Sequence, residues 1–198
     1  MERLKRLLIH IIREVRDAQG SLTKTKLVKL LYLIDVEAYQ EFGRTITGTQ
    51  WTFFLYGPYA AEIDNALNSL AGHRVEETEF LSSRGRRGYT YQRDEDPRLH
   101  EVLSLDERLV VQDVLRRWAD EELNQILDFV YFKTPPMAHA RFDAPLDFFN
   151  DRGRADLWAN FSYPCPTGHC RPSTRPVPCH NCRTQGNAIT DTDHTIEI

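Results

Sequence analysis

No cysteine occurs in the first 164 of the 198 residues, and a structural disulfide is therefore excluded from most of the chain. Basic charge is not in excess either. The 25 Lys and Arg face 29 Asp and Glu, a net charge of −4, so a global field of the kind that draws proteins onto nucleic acid is missing. No apolar run approaches the roughly 18 residues that span a bilayer. The basic start, Met1 to Arg6, is followed by Arg13, Glu14 and Arg16, which interrupt any signal-peptide core. The expected compartment is the cytoplasm. His10, His73, His100 and His139 stand singly, without His-x-x-x-His or His-Glu-x-x-His spacing. A glycine-rich phosphate loop and a G-x-S-x-G elbow are also lacking. These absences argue against an enzyme, a small-molecule substrate and a membrane protein.

Apolar residues make up 41% of the sequence and aromatics 11%, enough for a packed core. The charge is uneven. Residues 1–30 carry eight basic and three acidic residues, whereas residues 31–163 carry 14 and 23. The cysteines are more uneven still. Cys165, Cys170, Cys179 and Cys182 fall within 18 residues, among the prolines from Pro164 to Pro178. Composition predicts a globular body over residues 1–160 and a different tail over 161–198.

Leu4, Leu7, Leu8, Ile11, Ile12 and Val15 form a helical stripe. A second helix is expected from Ser21 or Thr23, either of which can cap it, to Gly43. Its apolar positions are Leu27, Leu30, Leu31, Ile34, Ala38 and Phe42. Residues 45–56 are rich in β-branched and aromatic types and read as extended chain. Pro58 suits the first turn of a third helix, with Tyr59, Ile63, Ala66, Leu67 and Leu70 as its stripe. Val75–Leu81 and Arg87–Arg93 read as a hairpin around Gly85 and Gly88. Ser104 and Glu107 have capping-box spacing ahead of Leu109, Val110, Val114 and Trp118. After a break near Asp120, another helix carries Leu123, Ile126, Leu127, Val130 and Tyr131, and Thr134-Pro135-Pro136 stops it. The aromatic segment 138–163 is expected to wrap the body. The predicted fold class is α+β: a mainly helical body, a small antiparallel hairpin and an irregular Cys- and Pro-rich tail.

Two stretches hold more apolar residues than one packing stripe requires. In residues 27–35, Tyr32 and Leu33 widen the stripe sideways. In residues 51–58, four aromatics precede the rigid Gly57-Pro58 turn. These aromatics either fill the core or stand exposed as anchors for a protein partner. Lys24, Lys26 and Lys29 open the second helix, where a DNA-recognition helix would place its contacts. They do not share one face, and the acidic body would repel phosphate. The competing reading, a small DNA-binding regulator using the basic first hairpin, is therefore the weaker one.

Lys26-Leu-Val-Lys-Leu-Leu-Tyr-Leu-Ile-Asp35, a break at Gly43, and Trp51-Thr-Phe-Phe-Leu-Tyr-Gly-Pro58 together resemble the Panacea domain, also called the SocA-like antitoxin domain. Residues 123–137 and 146–148 resemble its closing segment. The resemblance implies an antitoxin of a bacterial or phage toxin–antitoxin pair, with a mainly helical body and a small β element. It implies neutralisation of a cognate toxin by protein–protein contact, in some members with delivery of the toxin to a protease. It implies no catalytic residue set. The positions matching the motif are Lys26, Lys29, Tyr32, Asp35, Tyr56, Gly57, Pro58, Thr134 and Met137, with Trp51 beside them. Gly57 and Pro58 would set backbone geometry. Tyr32 and Asp35 would link the second helix to the turn at 56–58. Lys26 and Lys29 would meet acidic groups of a toxin, or water.

The tail reads Cys165-x4-Cys170-x8-Cys179-x2-Cys182, with His169 and His180 as substitutes. Zinc takes four such ligands in a tetrahedron, and Cys179-x-x-Cys182 is a good half-site. Structural zinc is the cofactor this pattern offers. The alternative is a tail whose cysteines share no role.

Overall fold

The computed structural model describes residues 2–15, 22–72, 74–81, 85, 87–92 and 97–148. The stripe from Leu4 to Val15 forms helix α1 (Glu2–Glu14) and is buried along its length. Strand β1 (Leu22–Thr23) leads into α2 (Lys24–Phe42). Thr23 caps α2 by accepting from the Lys26 N–H, and Gly43 closes it at φ 67° while donating to the Tyr39 carbonyl. That φ is open to glycine at little cost, which fixes the helix end.

Helix α2 is buried on nearly every face from Leu27 to Tyr39. A helix apolar all round belongs at the centre of a fold, and the other elements pack around it. They include α3 (Ala61–Leu70), α4 (Leu105–Trp118), α5 (Leu123–Lys133) and the short α6 (Pro135–Ala138). Ser104 and Glu107 form the expected capping box of α4. Glu122 and Gln125 form a second one on α5 that the sequence reading did not anticipate.

Two small sheets complete the body. Strands β4 (Glu76–Leu81) and β5 (Arg87–Gln92) form the expected hairpin, and β1 joins them in the order β1-β5-β4. Gly88 lies within β5, not in the turn. The second sheet pairs β2 (Thr52–Phe54) with β3 (Gly57–Tyr59).

That second sheet corrects two expectations. The extended segment 45–56 is regular strand only at Thr52–Phe54. Pro58 and Tyr59 belong to β3, and α3 starts at Ala61. The φ that proline fixes suits a strand as well as a first helical turn. The chain reverses at Leu55–Tyr56, and Gly57, at φ 88°, opens β3 before a helix can start. Leu109, placed on the buried stripe of α4, is half exposed. The tail boundary near 160 and the four cysteines lie outside the described residues. Among the described residues no helix is long and apolar enough to cross a membrane.

Candidate functional site

The motif residues converge on one construction: α2 gripping the β2–β3 hairpin. Asp35 is fully buried and accepts four hydrogen bonds. Its Oδ1 takes the Ile46 and Thr47 N–H groups at 2.8 and 2.9 Å. Its Oδ2 takes the Trp51 indole N–H at 2.8 Å and the Thr47 hydroxyl. Burial pushes the Asp35 carboxyl up from its ordinary value, against the pull of these donors. The carboxylate thus ties the chain after α2 back onto the helix.

Tyr32 packs edge-on against Trp51, with ring centroids 5.4 Å apart. Its hydroxyl reaches Thr134, at the α5–α6 junction, at 2.9 Å. The bonds of Asp35 go to residues 46–51, ahead of the turn at 56–58. Lys29 ties α2 to that turn, because its Nζ donates to the Pro58 carbonyl at 3.0 Å. Lys29 is buried, with no carboxylate partner among the described residues, and burial pulls its ammonium down to about 8. Gly57 permits the close approach. A Cβ there would lie 3.1 Å from the Tyr131 ring and hydroxyl and 3.3 Å from Lys29 Nζ.

Lys26 also turns inward and donates to the Ala119 and Glu121 carbonyls at 2.6 and 2.9 Å. It therefore sits at the negative end of α4. Lys24 pairs with Asp64 at 3.0 Å. All three lysines at the start of α2 are engaged within the fold. Met137 is buried in α6.

Of the ten motif positions, only Tyr56 is exposed, at 61%. It stands at the hairpin tip beside Phe54 and Leu55, which are also exposed. The tip is held from behind. Phe53 exchanges backbone bonds with Ala144 and Asp143 at 3.0 and 2.8 Å, and Leu146 donates to the Trp51 carbonyl at 2.8 Å. This pairing carries Phe142 onto the hairpin, where it stacks on Phe54 at 5.8 Å. Ring contacts then run from Phe142 to Phe53, Tyr131 and Phe132. Phe142 is 58% exposed and Phe132 75% exposed.

Neither residue was singled out from the sequence. Phe132 gave one signal, since it falls off the apolar stripe of α5. Phe142 gave one as part of the aromatic segment expected to wrap the body, but its place depends on backbone pairing with residues far away in sequence.

The result is a group of exposed rings, Phe54, Tyr56, Phe142 and Phe132, on the hairpin and the segments beside it, Phe142 and Phe132 linked through the half-buried Phe53 and Tyr131. Monomeric proteins rarely expose such surface without a use for it, and exposed Tyr and Phe are efficient anchors for another protein. Among the described residues no three His, Cys, Asp or Glu side chains are grouped to hold a metal ion.

A family model described as "Antitoxin SocA-like, Panacea domain" matches residues 27–135, from α2 through the start of α6. No curated protein matches the chain.

Proposed function

Because the chain belongs to the SocA-like antitoxin family, that of the Panacea domain, we propose that it neutralises a cognate protein toxin by direct contact. The observation that carries this reading is the exposed aromatic surface of Phe54, Leu55, Tyr56, Phe132 and Phe142. Binding needs rigid, water-exposed apolar anchors, and this hairpin supplies them at low entropic cost. It is fastened by Lys29 on one side and by residues 143–146 on the other. The buried motif residues serve as the frame and the tip as the contact. The inward bonds of Lys26 and Lys29 weigh against DNA contact, since phosphate binding would have to break them.

Growth rescue tests the reading. The gene adjoining that of the chain is expressed alone and then together with it. Arrest by the neighbour, relieved by co-expression, supports neutralisation, and pull-down of the two proteins as a complex identifies contact as its basis. The toxin's level separates the two modes. It stays constant if the chain blocks the toxin and falls if the chain delivers it to a protease. Arrest that persists undiminished contradicts the proposal.

A further inference from the structure

The two small sheets treat their edges differently. In the β2–β3 hairpin one edge is covered by residues 143–146, while Pro58 has no N–H and its carbonyl is bonded to Lys29. Among the described residues strand β4 has no such cover: it pairs only with β5, and all six of its residues are exposed. β5 is anchored by Tyr91, which is buried opposite Leu22 of β1, but β4 buries none of its own side chains. Its outward N–H and C=O groups form an open template for another strand.

The side chains of β4 say what kind of strand fits. Glu76, Glu77 and Glu79 are acidic, and Phe80 and Leu81 are exposed apolar residues at the far end. Phe80 lies against Gly88, where a Cβ would come within 2.5 Å of the ring. Alternation puts Glu77, Glu79 and Leu81 on one face. The present partners of these glutamates are weak competitors. Glu77 bonds the Tyr91 hydroxyl, and Glu79 pairs with the exposed Arg87 at 3.4 Å. Two β4 strands from two copies, paired in parallel register or antiparallel about Thr78, would set like charges against each other, which disfavours those self-pairings. A cationic strand would meet two carboxylates on that face, Glu77 and Glu79.

We propose that the outer edge of β4 docks an extended basic segment of a partner protein as an added strand. The segment carries Lys or Arg at alternating positions opposite Glu77 and Glu79, with an aliphatic residue opposite Leu81. Backbone bonds supply affinity, and the alternating charges supply register and choice of partner. This surface is separate from the aromatic tip, and its test requires no toxin.

The probe is a short blocked peptide of alternating lysine and valine, titrated into the isotope-labelled full chain and followed by amide resonances. The control is the glutamate–valine counterpart. The lysine peptide is expected to shift residues 76–81 and to weaken as salt rises. The double reversal E77K/E79K should lose about tenfold in affinity for it, from two cross-strand charge pairs, and gain the glutamate peptide. T78P, which removes a backbone donor, should weaken both. Unchanged Trp51 indole signals verify that the body stays folded in each variant. A lysine peptide that moves no amide in 76–81, or that binds E77K/E79K or T78P as tightly as wild type, overturns the proposal. So does self-association of the wild type through these residues.

Discussion

The Tyr32 hydroxyl donates to Thr134 Oγ1 across 102 residues of sequence, and Thr134 in turn donates to the Val130 carbonyl at 2.6 Å. The order of donors makes the two ends unequal. Y32F leaves Thr134 its own acceptor and should cost about 1 kcal/mol. T134V leaves a buried phenol with nothing to donate to and should cost roughly 1–3 kcal/mol. The double variant should cost less than the sum, which urea unfolding of the four proteins would measure.

Lys29 makes stability depend on alkaline pH. Its folded value of about 8 lies below the ordinary 10.5. Between these two values the unfolded chain holds the proton more tightly than the native one, so stability rises with pH across that window. The full rise is about 3 kcal/mol. K29M removes the titrating group, so the stability of this variant relative to wild type should fall as pH climbs from 8 toward 10.5. Urea midpoints at neutral and alkaline pH check this, because groups common to both proteins cancel.

Glu107 acts at the acid end. Burial alone would raise its carboxyl. Arg3, the Ser104 N–H and Arg44 more than offset that and hold it at about 2. Arg3 and Arg44 approach it at 2.6 and 2.7 Å. Its folded value is lowered from the ordinary 4.5, so its contribution is complete above that pH and is lost as pH falls toward 2. Because Arg3 and Arg44 reach solvent, which screens the pairs, the amount is about 1–2 kcal/mol. E107Q should flatten the acid limb of stability against pH in that window.

Asp35 tolerates no amide. Each of its oxygens accepts two donors, and an asparagine has one oxygen to give. Facing one way, the NH2 group meets the Ile46 and Thr47 N–H groups; facing the other, it meets the Trp51 indole N–H, while the Thr47 hydroxyl can turn to accept. D35N should lose roughly 3–5 kcal/mol, and the Trp51 fluorescence should shift as the indole loses its partner.

How much of this could be read from sequence depended on how local the cause was. The α1 stripe, the Thr23 and Gly43 caps of α2 and the Ser104–Glu107 box rest on residues a few positions apart, and they stand where expected. Most positions of the family motif are buried, but their contacts were not readable. Lys26 and Lys29 are ordinary surface types that turn inward because backbone carbonyls await them across the fold. Pro58 fitted a helix start locally and became strand because the reversal at Leu55–Tyr56 pairs it with Phe53. The aromatic surface needs residues 142–146 laid along β2, and no local pattern announces that.

Growth rescue by the double variant L55D/Y56D is the most direct check on the role of the hairpin tip. Both side chains are more than half exposed, so the fold should keep its stability to within about 0.5 kcal/mol. Rescue against the product of the adjoining gene, and capture of that product, should both be lost. Full rescue by a folded L55D/Y56D protein would contradict the assignment of the aromatic hairpin as the toxin-binding surface.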